Sequence, residues 1–120
     1  MILEAMNIQN AQRRIKGKLT LNQTETVKKD IEQRRDRLSK RMKALRALQA
    51  KHMEAIESDV LQQAACEPET ERVFLPSDFT SKQRTAKNLE GLADVERELR
   101  EGELFDAIEE VRQAAKNQSI

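Results

Sequence analysis

The chain has 120 residues, of which 36% are charged and 38% are apolar, and its formal net charge is +1. This length allows one small domain with a modest core. No apolar run approaches the roughly 18 residues of a membrane span, and the start of the chain lacks the layout of a signal peptide. The single cysteine, Cys66, excludes an internal disulfide. We therefore expect an intracellular protein without a membrane partner.

Charge is unevenly distributed along the chain. Residues 1–52 hold 14 Lys/Arg and 5 Asp/Glu, a balance of +9, whereas residues 53–120 hold 8 Lys/Arg and 16 Asp/Glu, a balance of −8. The basic half could contact an external polyanion, or the two halves could fold against each other and neutralise their charges. We favour the second interpretation, because a compact antiparallel bundle needs no additional molecule to achieve it.

Glycine and the polar residues near it divide the first part of the chain. A short helix is predicted over residues 1–16, and a connector over residues 17–22 begins at Gly17. Within the connector, Thr20 or Asn22 has the side-chain oxygen that caps the start of the next helix.

A long helix predicted over residues 23–65 is the clearest feature of the sequence. Its apolar residues repeat at helical spacing and form the long-helix stripe: Val27, Ile31, Leu38, Met42, Leu45, Met53, Ile56 and Val60. An eleven-residue repeat fits them better than a seven-residue repeat, and the longer repeat predicts a nearly straight or slightly right-handed helix. This helix would be about 65 Å long, so it needs a helical hairpin, an intermolecular partner or both.

The last part of the chain, residues 80–117, contains two apolar faces. The apolar direction turns by about 135° near Gly102, and glycine readily adopts the left-handed conformation that closes a helix. The pattern therefore predicts two helices, over residues 80–101 and 103–117, joined by a corner at Gly102.

Between the long helix and this pair lies a predicted loop, residues 66–79. It begins near Pro68, since proline cannot continue the hydrogen-bond ladder of a helix. The segments together predict an all-α fold. We expect an extended helical hairpin, or a small bundle of about four helices built on one long helix.

The sequence contains few candidates for catalysis. His52, the only histidine, lies away from the stripe and has no His or Cys beside it to complete a metal site. Cys66 lies next to acidic residues, which disfavour its thiolate. Acidic residues such as Glu96 and Asp106 have neighbours one helical turn away, a pattern typical of a solvated face. We therefore predict a protein that is not an enzyme, with no catalytic residue, metal site, cofactor or small-molecule substrate.

Eight basic residues of the long helix are the best candidates for a binding site. Together they could neutralise enough phosphates for salt-sensitive nucleic-acid binding: Arg34, Arg35, Arg37, Lys40, Arg41, Lys43, Arg46 and Lys51. They are spread around the whole non-apolar surface, however, and no aromatic residues lie among them for base stacking. We prefer a solvated or bundle-bridging role to contact with DNA.

Several stretches of the chain resemble a helical region of the transposase-like proteins of fungal KDZ DNA transposons, the group that often carries a cysteine-cluster domain. Their order and spacing agree over nearly the whole chain: ILEAMNIQ at 2–9, AQRR at 11–14, LRALQAKHM at 45–53, FLPSDF at 74–79 and LREGELFDA at 99–107, with Leu89, Leu92, Ala93 and Glu96. The chain departs from the family at His52-Met53-Glu54, where the family usually has an aromatic residue and a proline.

The resemblance implies a region outside the catalytic centre of such a protein. No catalytic motif of the family has a matching position here, and the cysteine cluster is missing. We therefore expect a non-catalytic structural or interaction module, a fragment or relic of a transposase-like protein. Its partner would be a domain of the parent protein or a second copy bound through the long-helix stripe. The alternative is a DNA-binding accessory region, and by resemblance alone the location would be nuclear.

Overall fold

The computed structural model describes residues 1–118, and the predicted all-α fold class is confirmed over that range. Five α-helices and two short 3₁₀ turns follow one another: α1 Ile2–Leu19, α2 Glu25–His52, a turn at Glu54–Ile56, α3 Glu57–Gln62, a turn at Pro76–Asp78, α4 Ser81–Ala86 and α5 Glu90–Gln118. The molecule is flattened, with principal extents of 54, 39 and 21 Å.

The first two helices, α1 and α2, form an antiparallel hairpin. Ion pairs fix its direction, because Lys18 Nζ lies 2.9 Å from Asp30 Oδ2 and Arg41 Nε lies 3.0 Å from Glu4 Oε1. The apolar faces of the two helices pack together in one core cluster: Ile2, Ala5, Met6, Ile8 and Ile15 of α1 with Ile31, Leu38, Met42 and Leu45 of α2. Each large side chain buried here contributes on the order of 1.5–3 kcal/mol. The hairpin therefore holds most of the core.

The connector between α1 and α2 is shorter than predicted, because Gly17 does not end the first helix. α1 continues past this residue, and no glycine in residues 1–118 has a positive φ. A glycine inside a helix costs about 0.5–1 kcal/mol relative to alanine, and that cost does not by itself break the helix. The connector is residues 20–24. Thr24, and not Thr20 or Asn22, caps α2 by accepting a hydrogen bond from a backbone N–H in the first turn.

The helix predicted over residues 23–65 is wrong beyond His52. There α2 ends, and at Met53 the backbone leaves the helical region with φ −136° and ψ 50°. No glycine or proline marks the break. Its cause is tertiary packing, because Met53 and Ile56 turn into a second core cluster. The other buried members of that cluster are Phe74, Phe79 and Leu89.

The corner predicted at Gly102 is also wrong, and a corner lies instead at Asn88. Thr80 and Gln83 form a capping box that starts α4. Asn88 then takes the left-handed conformation, with φ 56°, which asparagine tolerates better than most residues. Its neighbour Leu89 is completely buried. From there α5 runs unbroken through Gly102 for 29 residues, about 43 Å.

The two apolar faces of residues 80–117 therefore belong mainly to one helix. The apolar face before Gly102 packs on the α1–α2 hairpin, because Leu92 and Leu99 contact the hairpin core. The face after Gly102 points in another direction, because the phase of the pattern changes while the helix does not bend. The predicted helix pair, over residues 80–101 and 103–117, is thus replaced by α4 and one long α5.

Candidate functional site

The long-helix stripe is part of the core and not an interaction surface. Six of its eight residues are buried, and Val27 and Val60 are half-buried. α1 covers the part that lies on α2, and the second core cluster takes up Met53 and Ile56. Self-association through this stripe, which the sequence left open, is therefore a wrong prediction, since the hairpin would have to open first.

Most of the eight basic residues predicted to contact nucleic acid have partners within the chain. Five of them form ion pairs: Arg34 with Asp30, Arg35 with Glu69, Lys40 with Asp36, Arg41 with Glu4 and Arg46 with Glu71. Within residues 1–118, no ion pair is formed by Arg37, Lys43 or Lys51, which are exposed. Arg35 and Arg46 join the basic half to the acidic half, as expected if the two halves fold against each other.

Arg35 and Glu69 form an ion pair in which the carboxylate is buried and the guanidinium is half-buried. The Glu69 side chain is 1% exposed, and its oxygens lie 3.0 and 3.2 Å from Arg35 Nε and 2.5 Å from Arg35 Nη2. Burial raises the pKa of the Glu69 carboxyl, but hydrogen bonds from Arg35 and from its own backbone outweigh that effect and leave the pKa below its ordinary value. The pair therefore ties the loop after α3 to the middle of α2.

Three further polar side chains hold the same loop against the hairpin. Gln12 Nε2 donates to the Glu71 carbonyl at 2.6 Å, and Gln49 Nε2 donates to the Val73 carbonyl at 2.8 Å. Arg46 Nη2 lies 3.1 Å from Glu71 Oε1, and Arg46 Nη1 donates to the Val73 carbonyl at 3.3 Å. Carbonyls that would otherwise be buried without partners are thereby satisfied. We call Gln12, Arg35, Arg46 and Gln49 the loop clamp.

Sequence reasoning missed the two glutamines of the loop clamp, although their positions contain a signal. Gln12 lies four residues after Ile8, and Gln49 lies four residues after Leu45, so each occupies a buried face of its helix. A polar side chain at such a position must find a hydrogen-bond partner, because leaving it unpaired costs free energy. The chain segment that supplies the partner could not be read from spacing alone.

A cleft of about 650 Å³ lies along the first half of α5. Four of the charged residues that line it form two ion pairs within α5, Arg97 with Asp94 and Arg100 with Glu96. Glu96 is 2% exposed and accepts a hydrogen bond from the Ser77 N–H at 3.0 Å, so its predicted place on a solvated face is wrong. Burial raises the pKa of Glu96, but hydrogen bonds from Ser77 and Arg100 leave it below its ordinary value. Glu96 therefore attaches the turn at Pro76–Asp78 to α5.

The second half of α5 carries an uncovered set of apolar side chains. Leu104 and Phe105 are each 63% exposed, Ile108 is 45% exposed and Val111 is 69% exposed. Ala115 is exposed as well. At spacings of four, three and four residues, four of these five lie on one side of the helix, and Phe105 flanks them. We call Leu104, Phe105, Ile108, Val111 and Ala115 the α5 apolar face.

The two side chains considered as candidates for catalysis or metal binding lie on the surface. His52, at the end of α2, and Cys66, in the loop after α3, are both exposed, as predicted for His52. Among residues 1–118, no three His, Cys, Asp or Glu side chains are grouped so that they could hold a metal ion. Over the same residues, no helix has both the length and the apolar character needed to cross a bilayer.

Comparison of the chain with protein-family models, with curated proteins and with solved structures gives no match. The geometry of the chain itself is therefore the basis for inferring its function. That geometry places the loop clamp and the long-helix stripe inside the fold. The α5 apolar face lies outside it and is the candidate site.

Proposed function

We propose that the chain is a non-catalytic helical interaction module that docks another helix on the α5 apolar face. The observation that supports this proposal is the exposure of Leu104, Phe105, Ile108 and Val111 on one helix. Single exposed apolar residues are common on proteins, but a contiguous apolar patch bordered by charged residues is typical of an interaction site.

The energetics of the second half of α5 also favour a docking role. Beyond Arg100, every residue whose burial is described is exposed, apart from the half-buried Glu109. A helical segment of about this length has marginal stability in water unless an apolar face is packed. A helix laid on Leu104, Ile108 and Val111 would supply that packing. It would recover on the order of 1 kcal/mol for each side chain covered.

We also propose that the module is a fragment or relic of a KDZ-type transposase-like protein. The support is the resemblance of five short stretches in order, of which FLPSDF at residues 74–79 is one. A domain of such a parent protein is one source of the docking helix, and the setting would then be nuclear and near DNA.

The alternative function, a DNA-binding accessory region, has less support. Five of its eight candidate residues are engaged in ion pairs, and Arg35 and Arg46 also hold the loop after α3. Phosphate contacts by these two residues would leave the Glu69 and Glu71 carboxylates without their cations. Arg37, Lys43 and Lys51 remain as exposed cations, too few for strong binding to a duplex.

Photochemical crosslinking tests the proposed function. Benzoylphenylalanine replaces Phe105 on the α5 apolar face or, as a matched control, Gln113 on the opposite side of the same helix. Both positions are exposed, so neither substitution should alter the fold. In cells that produce the chain, we expect one discrete adduct from position 105 and none from position 113. Equal adducts from both positions, or none from either, would contradict a docking face.

A further inference from the structure

We propose that the helix docked on the α5 apolar face is α5 of a second copy of this chain, lying antiparallel. This inference rests on the proposed function and names the partner. Four residues of the face form a seam at the alternating spacing of a two-stranded coiled coil: Leu104, Ile108, Val111 and Ala115.

An antiparallel arrangement packs this seam against itself. With a two-fold axis at its midpoint, Leu104 meets Ala115 of the second copy, and Ile108 meets Val111 of the second copy. A large side chain faces a small one in the outer layers, and two β-branched side chains face each other in the inner layers. The outer layers therefore hold less side-chain volume than the inner layers, so the two helices can approach more closely at the ends of the seam.

Charge complementarity along one flank favours the same arrangement. This flank carries two acids followed by two bases, Glu101, Glu109, Arg112 and Lys116. In the antiparallel register, Glu101 lies beside Lys116 of the second copy, and Glu109 lies beside Arg112 of the second copy. Arg112 Nη1 is already 3.2 Å from Glu109 Oε1 within its own helix, so the second copy would extend an existing contact into a network.

The opposite flank distinguishes antiparallel from parallel pairing. Ala107 and Ala114 lie there beside the seam, with Glu103 and Glu110 farther from it. In the antiparallel register Ala107 and Ala114 face each other across the seam, so the two helices can approach closely. A parallel pair would set the charged flank of one copy against this alanine flank. It would then lose both acid–base pairs. In the antiparallel pair, Phe105 also lies close to the Arg112 guanidinium of the second copy, an arrangement suited to a cation–π contact.

The small size of the seam determines how strongly two copies are expected to associate. Four layers bury less surface than a standard stable interface, so the association belongs to the weak or transient class. We expect a dimer that dissociates at micromolar concentrations. Its formation would order the second half of α5 in both copies together.

Disulfide exchange between two variants tests the antiparallel register. In a Cys66→Ser background, one chain carries Leu104→Cys and the other carries Ala115→Cys. The two are mixed in equal amounts and oxidised slowly, and the products are separated by mass. Random pairing would make half of the disulfide-linked dimers mixed 104–115 dimers. The inference predicts a fraction of mixed dimers well above one half. A parallel dimer would give mostly 104–104 and 115–115 disulfides, and that result, or the random ratio, would overturn it.

Two further measurements complete the test. Gln113→Cys, on the opposite side of the helix, replaces Ala115→Cys as a control and should pair with Leu104→Cys only at the random ratio.

Sedimentation of the unmodified chain from about 1 to 200 μM should show a monomer–dimer equilibrium. A monomer throughout would overturn the second-copy inference. The proposed function would still stand if the crosslinker at position 105 captured a different chain, and both would fall if it captured none.

Discussion

At the scale of single residues, the pair of Arg35 and Glu69 changes the interpretation of the basic helix. Arg35 is one of eight similar residues in the sequence, yet its partner lies in a loop 34 residues away and is buried. The position of that partner depends on tertiary folding, which spacing along one helix does not reveal. A charge whose partner is removed inside a protein is costly, so the pair has a measurable role.

Removal of the buried carboxylate should destabilise the fold. We expect Glu69→Gln to lower the free energy of unfolding by about 2 kcal/mol, because it leaves Arg35 without its charged partner. The matched control is Asp36→Asn, which breaks the exposed pair with Lys40 and should cost less than about 0.5 kcal/mol. Urea unfolding followed by circular dichroism measures both. Equal effects of the two substitutions would contradict a structural role for Arg35.

The same carboxylate should contribute to sensitivity to acid. The pKa of Glu69 is lowered in the folded state, so its stabilisation is fully present above the ordinary value of 4.5. It is lost as the pH falls through the lower folded-state pKa, where the carboxylate is protonated. We therefore expect the urea concentration at the midpoint of unfolding to decrease once the pH is below about 4.5. Between pH 5 and pH 2.5 it should fall less steeply in Glu69→Gln than in the unmodified chain, and an identical pH dependence would show that Glu69 is not involved.

At the scale of helices, the positions of the breaks are the part that the sequence predicted least well. Apolar spacing located the core residues of α2 correctly, because one face of a helix must be buried, but it did not identify α1 as the helix that covers them. The break at Met53 carries no glycine or proline, and it follows from contacts with residues more than 20 positions away. At Gly102 the change of apolar phase predicts a bend, but α5 is continuous there. The change of phase instead separates an apolar face that packs on the α1–α2 hairpin from an apolar face that is exposed.

Substitution of Gly102 by alanine distinguishes a continuous helix from a corner. A Cβ at this position would meet nothing within 4 Å, and alanine is the better helix former. We therefore expect Gly102→Ala to raise helicity and to stabilise the second half of α5 by about 0.5–1 kcal/mol. Amide hydrogen exchange of residues 103–117 measures that change. Faster exchange in the variant would indicate a left-handed corner at Gly102.

The corner at Asn88 should respond in the opposite way to the same substitution. Its φ is positive, so Asn88→Ala should cost about 1 kcal/mol, whereas Asn88→Gly should cost little because glycine has no Cβ. Thermal unfolding of the two variants side by side measures the difference. Equal stability of the alanine and glycine variants would place the corner elsewhere.

At the scale of the whole molecule, the +9 and −8 halves neutralise each other partly through Arg35 and Arg46. We therefore expect weak binding to duplex DNA. The slope of log binding constant against log salt should correspond to fewer than about two phosphates. Replacement of Arg34, Arg35, Arg37 and Arg41 by glutamine should reduce stability more than it reduces DNA binding. A steep slope at 50–200 mM salt, abolished by these substitutions, would favour the DNA-binding alternative instead.

The central claim is that the stripe on α2 is core and the apolar face on α5 is a docking surface. Urea unfolding of two variants at the lowest chain concentration that circular dichroism allows tests it most directly. Leu38→Ala should lower the free energy of unfolding by about 3 kcal/mol, since it leaves a cavity in the hairpin. Leu104→Gln/Val111→Gln should change it by less than about 0.5 kcal/mol, since both side chains are exposed in the monomer. A large loss from the α5 variant, with little loss from Leu38→Ala, would contradict the account.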